Sequence, residues 1–215
     1  MVPEPVPGLV VGFDLDMTLV DSRPGIQVTL DVLASESGAT ALADPSLLDA
    51  LLRRNLDLEF ADRFTPDHAH ELAERFRVLY VTFGVPGTHL LPGAADALEL
   101  ARTSGARTVV VTAKYEPNAH RCLDHVGLAV DAVFGWRYGP GKAETLRECA
   151  AFAYVGDTPR DMQAARDADA LAVGVTTGPH DADELRAAGA DVVLSSLVEF
   201  PAWWRTRASR PDPGG

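Results

Sequence analysis

Asp14 and Asp16 follow the apolar run at 9–13 and stand two residues apart. In an extended chain, positions i and i+2 point to the same side. Two carboxylates on one side, at the C-terminal edge of a buried strand, lie where open α/β sheets bind ligands. Their repulsion is relieved by a shared proton or cation, so the pair invites a metal ion, and hard oxygen donors suit magnesium. A turn capped by aspartate accounts for one of the two acids and leaves the other unexplained.

Three further segments extend this set. Thr112 ends the run at 108–112. A hydroxyl there, beside a following helix N-terminus, can hold a phosphate oxygen, although threonine is equally at home in strands and caps. Lysine occurs only as Lys114 and Lys142. Lys142 follows Gly139-Pro140-Gly141 at a helix start, the end that favours anions, and this conflict with the helix dipole hints at a site role. The segment is no Walker loop, because Trp136 and Ala143 stand where glycine and a hydroxyl residue are required. Gly156-Asp157-Thr158-Pro159-Arg160-Asp161 follows the run at 152–155. Thr158, Pro159 and Asp161 make an N-cap, a first-turn proline and an N3 acid. Asp157 is left over, a third carboxylate able to complete a metal site with Asp14 and Asp16. The set supplies a nucleophile, an acid/base, a hydroxyl, a cation and a metal ligand, the parts of a phosphoryl-transfer site.

These residues need a scaffold. Apolar, β-branched runs lie at 9–13, 108–112, 132–134, 152–155, 171–175 and 191–194. Most lack alternation, as strands buried on both faces do. Helical patterns at 94–104, 118–126, 142–150, 159–168 and 182–188 separate them, and Gly105, Gly127 and Gly189 follow three of these as C-cap glycines. The alternation predicts an α/β, doubly wound Rossmann-like parallel sheet. One stretch breaks it. Residues 24–88 show no clear strand and read as helices at 26–35, 45–51 and 66–83, the last with an apolar stripe of Leu72, Phe76, Leu79, Tyr80 and Phe83. The expected organisation is a core of residues 1–22 and 90–215 with an inserted helical cap at 23–89, hinged at 21–24 and 85–93. The tail at 210–215 is expected to be disordered.

The bulk properties narrow the partners. The 215 residues suffice for one domain carrying a smaller insertion, and 47% hydrophobic with 23% charged residues is globular. A net charge of −12 with no basic stripe argues against nucleic acid. The N-terminus lacks the basic and apolar regions of a signal peptide, and no apolar run approaches a membrane span. Cys122 and Cys149 lie in helical stretches without zinc spacing, where small buried hydrophobes fit a reducing compartment. A cytoplasmic protein is expected. Trp203 and Trp204 are expected against the sheet edge or a partner, and oligomeric state is not readable.

The four segments together resemble the motifs of the haloacid dehalogenase superfamily, over nearly the whole chain. Residues 14–22 look like its first motif, Thr112 the second, Lys142 the third, and Gly156-Asp157 with Asp161 the fourth. The helical insertion resembles the cap of the phosphoglycolate phosphatase-like branch. One departure is Met17, where many members carry glycine.

The resemblance implies that Asp14 attacks phosphorus to give an aspartyl-phosphate. Asp16 would protonate the leaving alcohol and then activate water. Mg2+ would be held by the Asp14 carboxylate, the Asp16 main-chain carbonyl and Asp157. Thr112 and Lys142 would hold the phosphoryl oxygens, Asp161 would orient Lys142 or a metal-bound water, and Thr18 would brace the loop. The implied substrate is a small phosphate ester, phosphoglycolate-like or a sugar phosphate. Asp16 points to phosphate rather than dehalogenation chemistry, because dehalogenases lack an acid there. Both lysines lie outside the cap, against phosphonoacetaldehyde hydrolysis. A phosphosugar mutase shares the four motifs, and a non-catalytic binding protein on the same fold is a second alternative. A dinucleotide-binding oxidoreductase fails for want of Gly-x-Gly-x-x-Gly after the first strand. Arg23, Arg53, Arg54, Arg63 and His68 could face an anionic substrate from the cap.

Overall fold

The computed structural model describes residues 8–208. Its main sheet holds β1 (Val10–Phe13), β4 (Arg107–Val111), β5 (Ala132–Phe134), β6 (Ala151–Gly156), β7 (Leu171–Val175) and β8 (Val192–Leu194). The order is β5-β4-β1-β6-β7-β8, and every pairing is parallel. The chain steps outward from β1 to β4 and β5, then crosses to β6 and continues away on the other side. The crevice beyond the ends of β1 and β6 is therefore a topological switch point. Phe13 is in register with both Val110 and Val155, so residues 14, 112 and 157 emerge along one edge.

Helices cover both faces. Val11, Phe13, Val110, Ala153 and Val155 point into one apolar cluster, which includes residues of α5 (Ala94–Thr103), α6 (Glu116–Val126) and α10 (Phe200–Ala208). Val10, Val109, Val111 and Tyr154 point into the other, with α7 (Pro140–Glu148), α8 (Pro159–Asp167) and α9 (Ala182–Ala187). This explains the unbroken apolar runs, since both sides of each strand are buried. The doubly wound α/β reading holds. Gly105, Gly127 and Gly189 all have positive φ after their helices.

Three details differ from the sequence reading. Trp203 and Trp204 lie in the core instead of at an edge or a partner surface. Trp204 stacks on Phe200, meets Phe152 of β6 edge-on, and donates from Nε1 to Ser104 Oγ at 3.1 Å. Cys122 is buried, whereas Cys149 at the end of α7 is only partly so, and both thiols are free. Among the described residues no helix is long and apolar enough to cross a membrane. The tail at 210–215 lies outside the described residues.

The third difference concerns residues 23–89. They hold α1 (Arg23–Ser37), α2 (Ser46–Arg53), α3 (Leu56–Arg63) and α4 (Pro66–Leu79). α3 was not anticipated, although Asn55 marks it: its side chain accepts from Asp57 N–H as an N-cap. α4 runs into a π-helical turn, Tyr80–Gly84, which breaks the helical spacing and leaves Phe83 exposed rather than on the buried stripe. The stretch is also not free of strands. β2 (Val20–Asp21) and β3 (His89–Leu90) pair antiparallel where the helices begin and end. Two-residue strands are too short for any periodicity to register. Above this ribbon the chain packs glycine on glycine: a Cβ on Gly25 would lie 2.1 Å from the Gly84 carbonyl oxygen.

Candidate active site

Asp14 continues the line of β1, its N–H donating to Val155 O at 2.8 Å. The chain then folds back sharply: Leu19 and Val20 N–H both reach Leu15 O, and Met17 N–H reaches Val20 O at 2.7 Å. Leu15, Met17 and Leu19 are buried beneath the loop. Met17 sits at φ 60, a left-handed conformation that glycine adopts without strain.

The predicted residues converge. Lys142 Nζ is 2.5 Å from Asp161 Oδ1 and 3.2 Å from Asp14 Oδ2. Thr18 Oγ1 donates to Asp157 Oδ1 at 3.2 Å. Thr112 is buried on the same cavity wall as Asp14, Asp16, Lys142 and Asp157, and its Oγ1 accepts from Lys114 N–H at 3.2 Å. Asp161 serves two tasks at once. Its Oδ2 accepts from Thr158 N–H and Oγ1, closing the capping box of α8, while its Oδ1 holds Lys142.

Burial pushes the Asp14 carboxyl up to about 6; Lys142 pulls it down, while Asp161 and Asp16 add to the rise. Burial, with Asp161 and Asp14, holds Asp157 well above the usual carboxylate range. Burial alone would lower Lys142, but Asp14 and Asp161 outweigh it, so the lysine stays charged. Asp14 Oδ1 and Asp157 Oδ2 are buried with no hydrogen-bond partner. Carboxylate oxygens of Asp14, Asp157 and Asp161 lie within 4.8 Å of one another. Unsatisfied, desolvated carboxylates at this spacing fit a hard cation. Asp161 is the poorest ligand of the three, since both its oxygens are occupied. The Asp16 carboxylate is not in the cluster.

Asp16 instead meets a residue to which the sequence reading gave no role. Lys114 Nζ lies 3.0 Å from Asp16 Oδ1 and donates to Tyr80 OH at 3.0 Å. Burial lowers Lys114, yet the Asp16 charge more than compensates and its pKa ends above the ordinary value. The scarcity of lysine was the signal available for it. The loop after β7 was also missed. Thr177 Oγ1 donates to Met17 O at 2.6 Å, and Gly178 is so close that a Cβ there would lie 1.8 Å from Asp157 Oδ2.

Of the cap cations, Arg53 and Arg54 reach the site. Arg53 donates to Pro179 O at 2.8 Å and contacts the His180 ring, linking α2 to the β7 loop. Arg54 lines both cavities while pairing with Asp62 and Glu59. The structure gives the other three different partners: Arg23 pairs with Asp21, Arg63 with Glu59, and His68 packs on the Phe64 ring. Two cavities meet at Asp16: one of about 90 Å³ over Asp14, Thr112, Lys142 and Asp157, and one of about 100 Å³ running beneath α2 to Asn118 and Trp136.

Parallel sheet, switch-point carboxylates and buried lysine define a hydrolase of the haloacid dehalogenase-like kind, and residues 11–166 match that family, to which the chain belongs. Within it the chain is phosphoglycolate phosphatase-like, and by class it is a phosphoric monoester hydrolase. It is 28% identical over 213 residues to a phosphoglycolate phosphatase of Caulobacter vibrioides, covering 90% of each chain. It is 26% identical over 212 residues to one from Vibrio parahaemolyticus, covering 88% of this chain and 93% of that one. In fold it is similar to a haloacid dehalogenase-like family protein from Streptococcus pneumoniae, with TM-score 0.76, 22% identity and coverage of 91% and 98%. A hydrolase from Pseudomonas syringae gives 0.75 at 22% identity, covering 94% and 100%.

Proposed function

We propose that this chain is a magnesium-dependent phosphatase of a small phosphomonoester, working through an aspartyl-phosphate on Asp14. The observation that carries the reading is the pair of orphaned oxygens, Asp14 Oδ1 and Asp157 Oδ2, beside the Lys142 ammonium. Asp14, Asp157 and the main-chain carbonyl of Asp16 would hold the magnesium. Bound there, it would offset the charge of the carboxylates and of the phosphoryl oxygens.

The protein's own groups account for the rest. A free oxygen of Asp14 attacks phosphorus in line, and the ester P–O bond breaks. Asp16, at the junction of the two cavities, takes up a proton from solvent as the ester binds and gives it to the leaving alkoxide. It then takes a proton from water as that water attacks phosphorus, the bond to Asp14 breaks, and inorganic phosphate is released. Lys142 and the Thr112 hydroxyl hold the phosphoryl oxygens, and Lys142 neutralises their charge. Asp161 keeps Lys142 aimed, and Thr18 keeps Asp157 in place. Residues 23–89 act as the cap, excluding water when closed. Phosphoglycolate-like esters and sugar phosphates are the candidate substrates. The two free thiols fit a cytoplasmic setting.

Phosphate release from an ester panel with magnesium tests this. Wild type should release phosphate, EDTA should stop it, and Asp14→Asn should be inactive. Asp16→Asn should lose about 10²–10⁴-fold. Full activity in Asp14→Asn, or turnover insensitive to EDTA, would sink the reading.

A further inference from the structure

The two cavities differ in how their positive charge is committed. On the phosphoryl side, Arg53 faces only a carbonyl and an imidazole, and Arg160 has no carboxylate partner among the described residues. On the leaving-group side every lining cation is already paired. Lys114 holds Asp16, Arg77 holds Asp57 and Glu74, and Arg54 holds Asp62 and Glu59. Three cations are thus paired with five carboxylates, of which Asp16 and Asp57 line the cavity. A leaving group bearing its own carboxylate would find no free cation and would lie beside like charge.

The rest of that cavity's lining is mixed: Asn55, Tyr80, Tyr115 and Asn118 bring amide and hydroxyl groups to it. Ile26, Leu51, Leu56 and Phe76 give the lining its apolar part. Trp136 also lines it, 48% exposed, with the Arg77 guanidinium 5.2 Å from its ring centroid, and at φ 53, a conformation rare for a bulky residue. Of the polar groups, Asn118 lines the cavity at 3% exposure. Its amide N–H donates to Arg77 O at 3.1 Å, which fixes the other end of the group as oxygen. That Oδ1 is buried and receives no hydrogen bond. An acceptor left unmatched in a ligand cavity is complementary to a donor on the ligand.

We infer that the substrate's leaving alcohol is uncharged, lays an apolar or planar face against Phe76 and Trp136, and donates a hydroxyl or N–H to Asn118 Oδ1. The inference rests on the phosphatase reading and selects among its esters. It disfavours phosphoglycolate, whose leaving group carries a carboxylate.

Steady-state kinetics with magnesium on phosphoglycolate, p-nitrophenyl phosphate, ribose 5-phosphate and a nucleoside 5′-monophosphate test it. At least one of the two hydroxylated, uncharged leaving groups should exceed phosphoglycolate in kcat/KM by about tenfold or more. Asn118→Leu, shown folded by its melting temperature, should lower the kcat/KM ratio of that ester to p-nitrophenyl phosphate by about ten- to a hundredfold. Turnover of phosphoglycolate equal to or above the others overturns the inference and leaves the phosphatase reading standing. An unmoved ratio in folded Asn118→Leu also overturns it. No phosphate from any ester ends the phosphatase reading, and the inference with it.

Discussion

Lys114 and Asp16, 98 residues apart in the chain, form an ion pair of 3.0 Å across the junction of the two cavities. The ammonium comes from the loop after β4 and the carboxylate from the loop after β1, so the pair aligns two strand ends on one reacting position. Replacing the lysine frees the carboxylate to rotate. Lys114→Met is expected to lower kcat/KM by about 10²-fold, the effect of misplacing a group near the chemistry, without unfolding the protein. A rate within twofold of wild type would show that Asp16 needs no such tether.

Gly178 controls Asp157 by proximity alone. A methyl group at that position would lie 1.8 Å from Asp157 Oδ2, so Gly178→Ala must push the carboxylate or the β7 loop aside. The magnesium concentration for half-maximal activity should rise by about tenfold or more, the scale on which neighbours of metal ligands act. Unchanged magnesium dependence would mean that Asp157 is not a ligand.

Magnesium should stabilise the protein in a pH-dependent way. The Asp14 carboxyl titrates at 3.8 when unfolded and at about 6 in the metal-free fold. Its folded pKa is raised, so its contribution to stability is fully present below 3.8 and is lost as pH rises through about 6. Asp157 shifts in the same direction. Above that window both carboxylates are charged, and a cation relieves them. The rise in melting temperature on adding magnesium should therefore be larger at pH 7.5 than at pH 5. An equal or larger rise at pH 5 would contradict it.

Met17 presents two opposed terms. Glycine would relieve the left-handed backbone, worth about 1–2 kcal/mol. It would also delete a fully buried side chain, and methionine truncations in cores cost about 2–5 kcal/mol. Packing outweighs strain, so Met17→Gly should lower unfolding stability by about 1–3 kcal/mol in denaturant titration. A stabilised variant would show that the backbone term dominates.

Asp161 links helix capping to the site. Asp161→Asn retains an oxygen for the Thr158 cap but weakens the hold on Lys142. Activity should fall by about 10²-fold while the melting temperature moves only a few degrees, and the reverse pattern would assign Asp161 to capping alone.

The edge that carries the candidate site was legible because its residues follow strands. The runs before Asp14, Thr112 and Asp157 are unalternating and β-branched, and parallel register brings their ends together whatever lies between. Lys142 was legible from its conflict with the α7 dipole. What escaped detection depended on tertiary placement. Nothing local to Asn118 or Trp136 reveals that they face Asp16 from other elements, and Trp136 gives no sign in sequence of its positive φ. Lys114 had a compositional signal, and Gly178 followed a strand like the other site residues. β2 and β3 escaped because two residues carry no period.

The β2–β3 ribbon leaves a final consequence. The helices of residues 23–89 depart and return through two antiparallel pairs, Val20 opposite Leu90 and Asp21 opposite His89. Their two ends are neighbours, so along the chain the core carries them as a door carries a knocker, through a single covalent mount. Closing so short a gap costs the sheet little whatever the insert's length. The lineage could thus exchange the whole insert for another of different shape and keep the hydrolytic edge intact, with new substrates reached by replacement instead of point-by-point redesign.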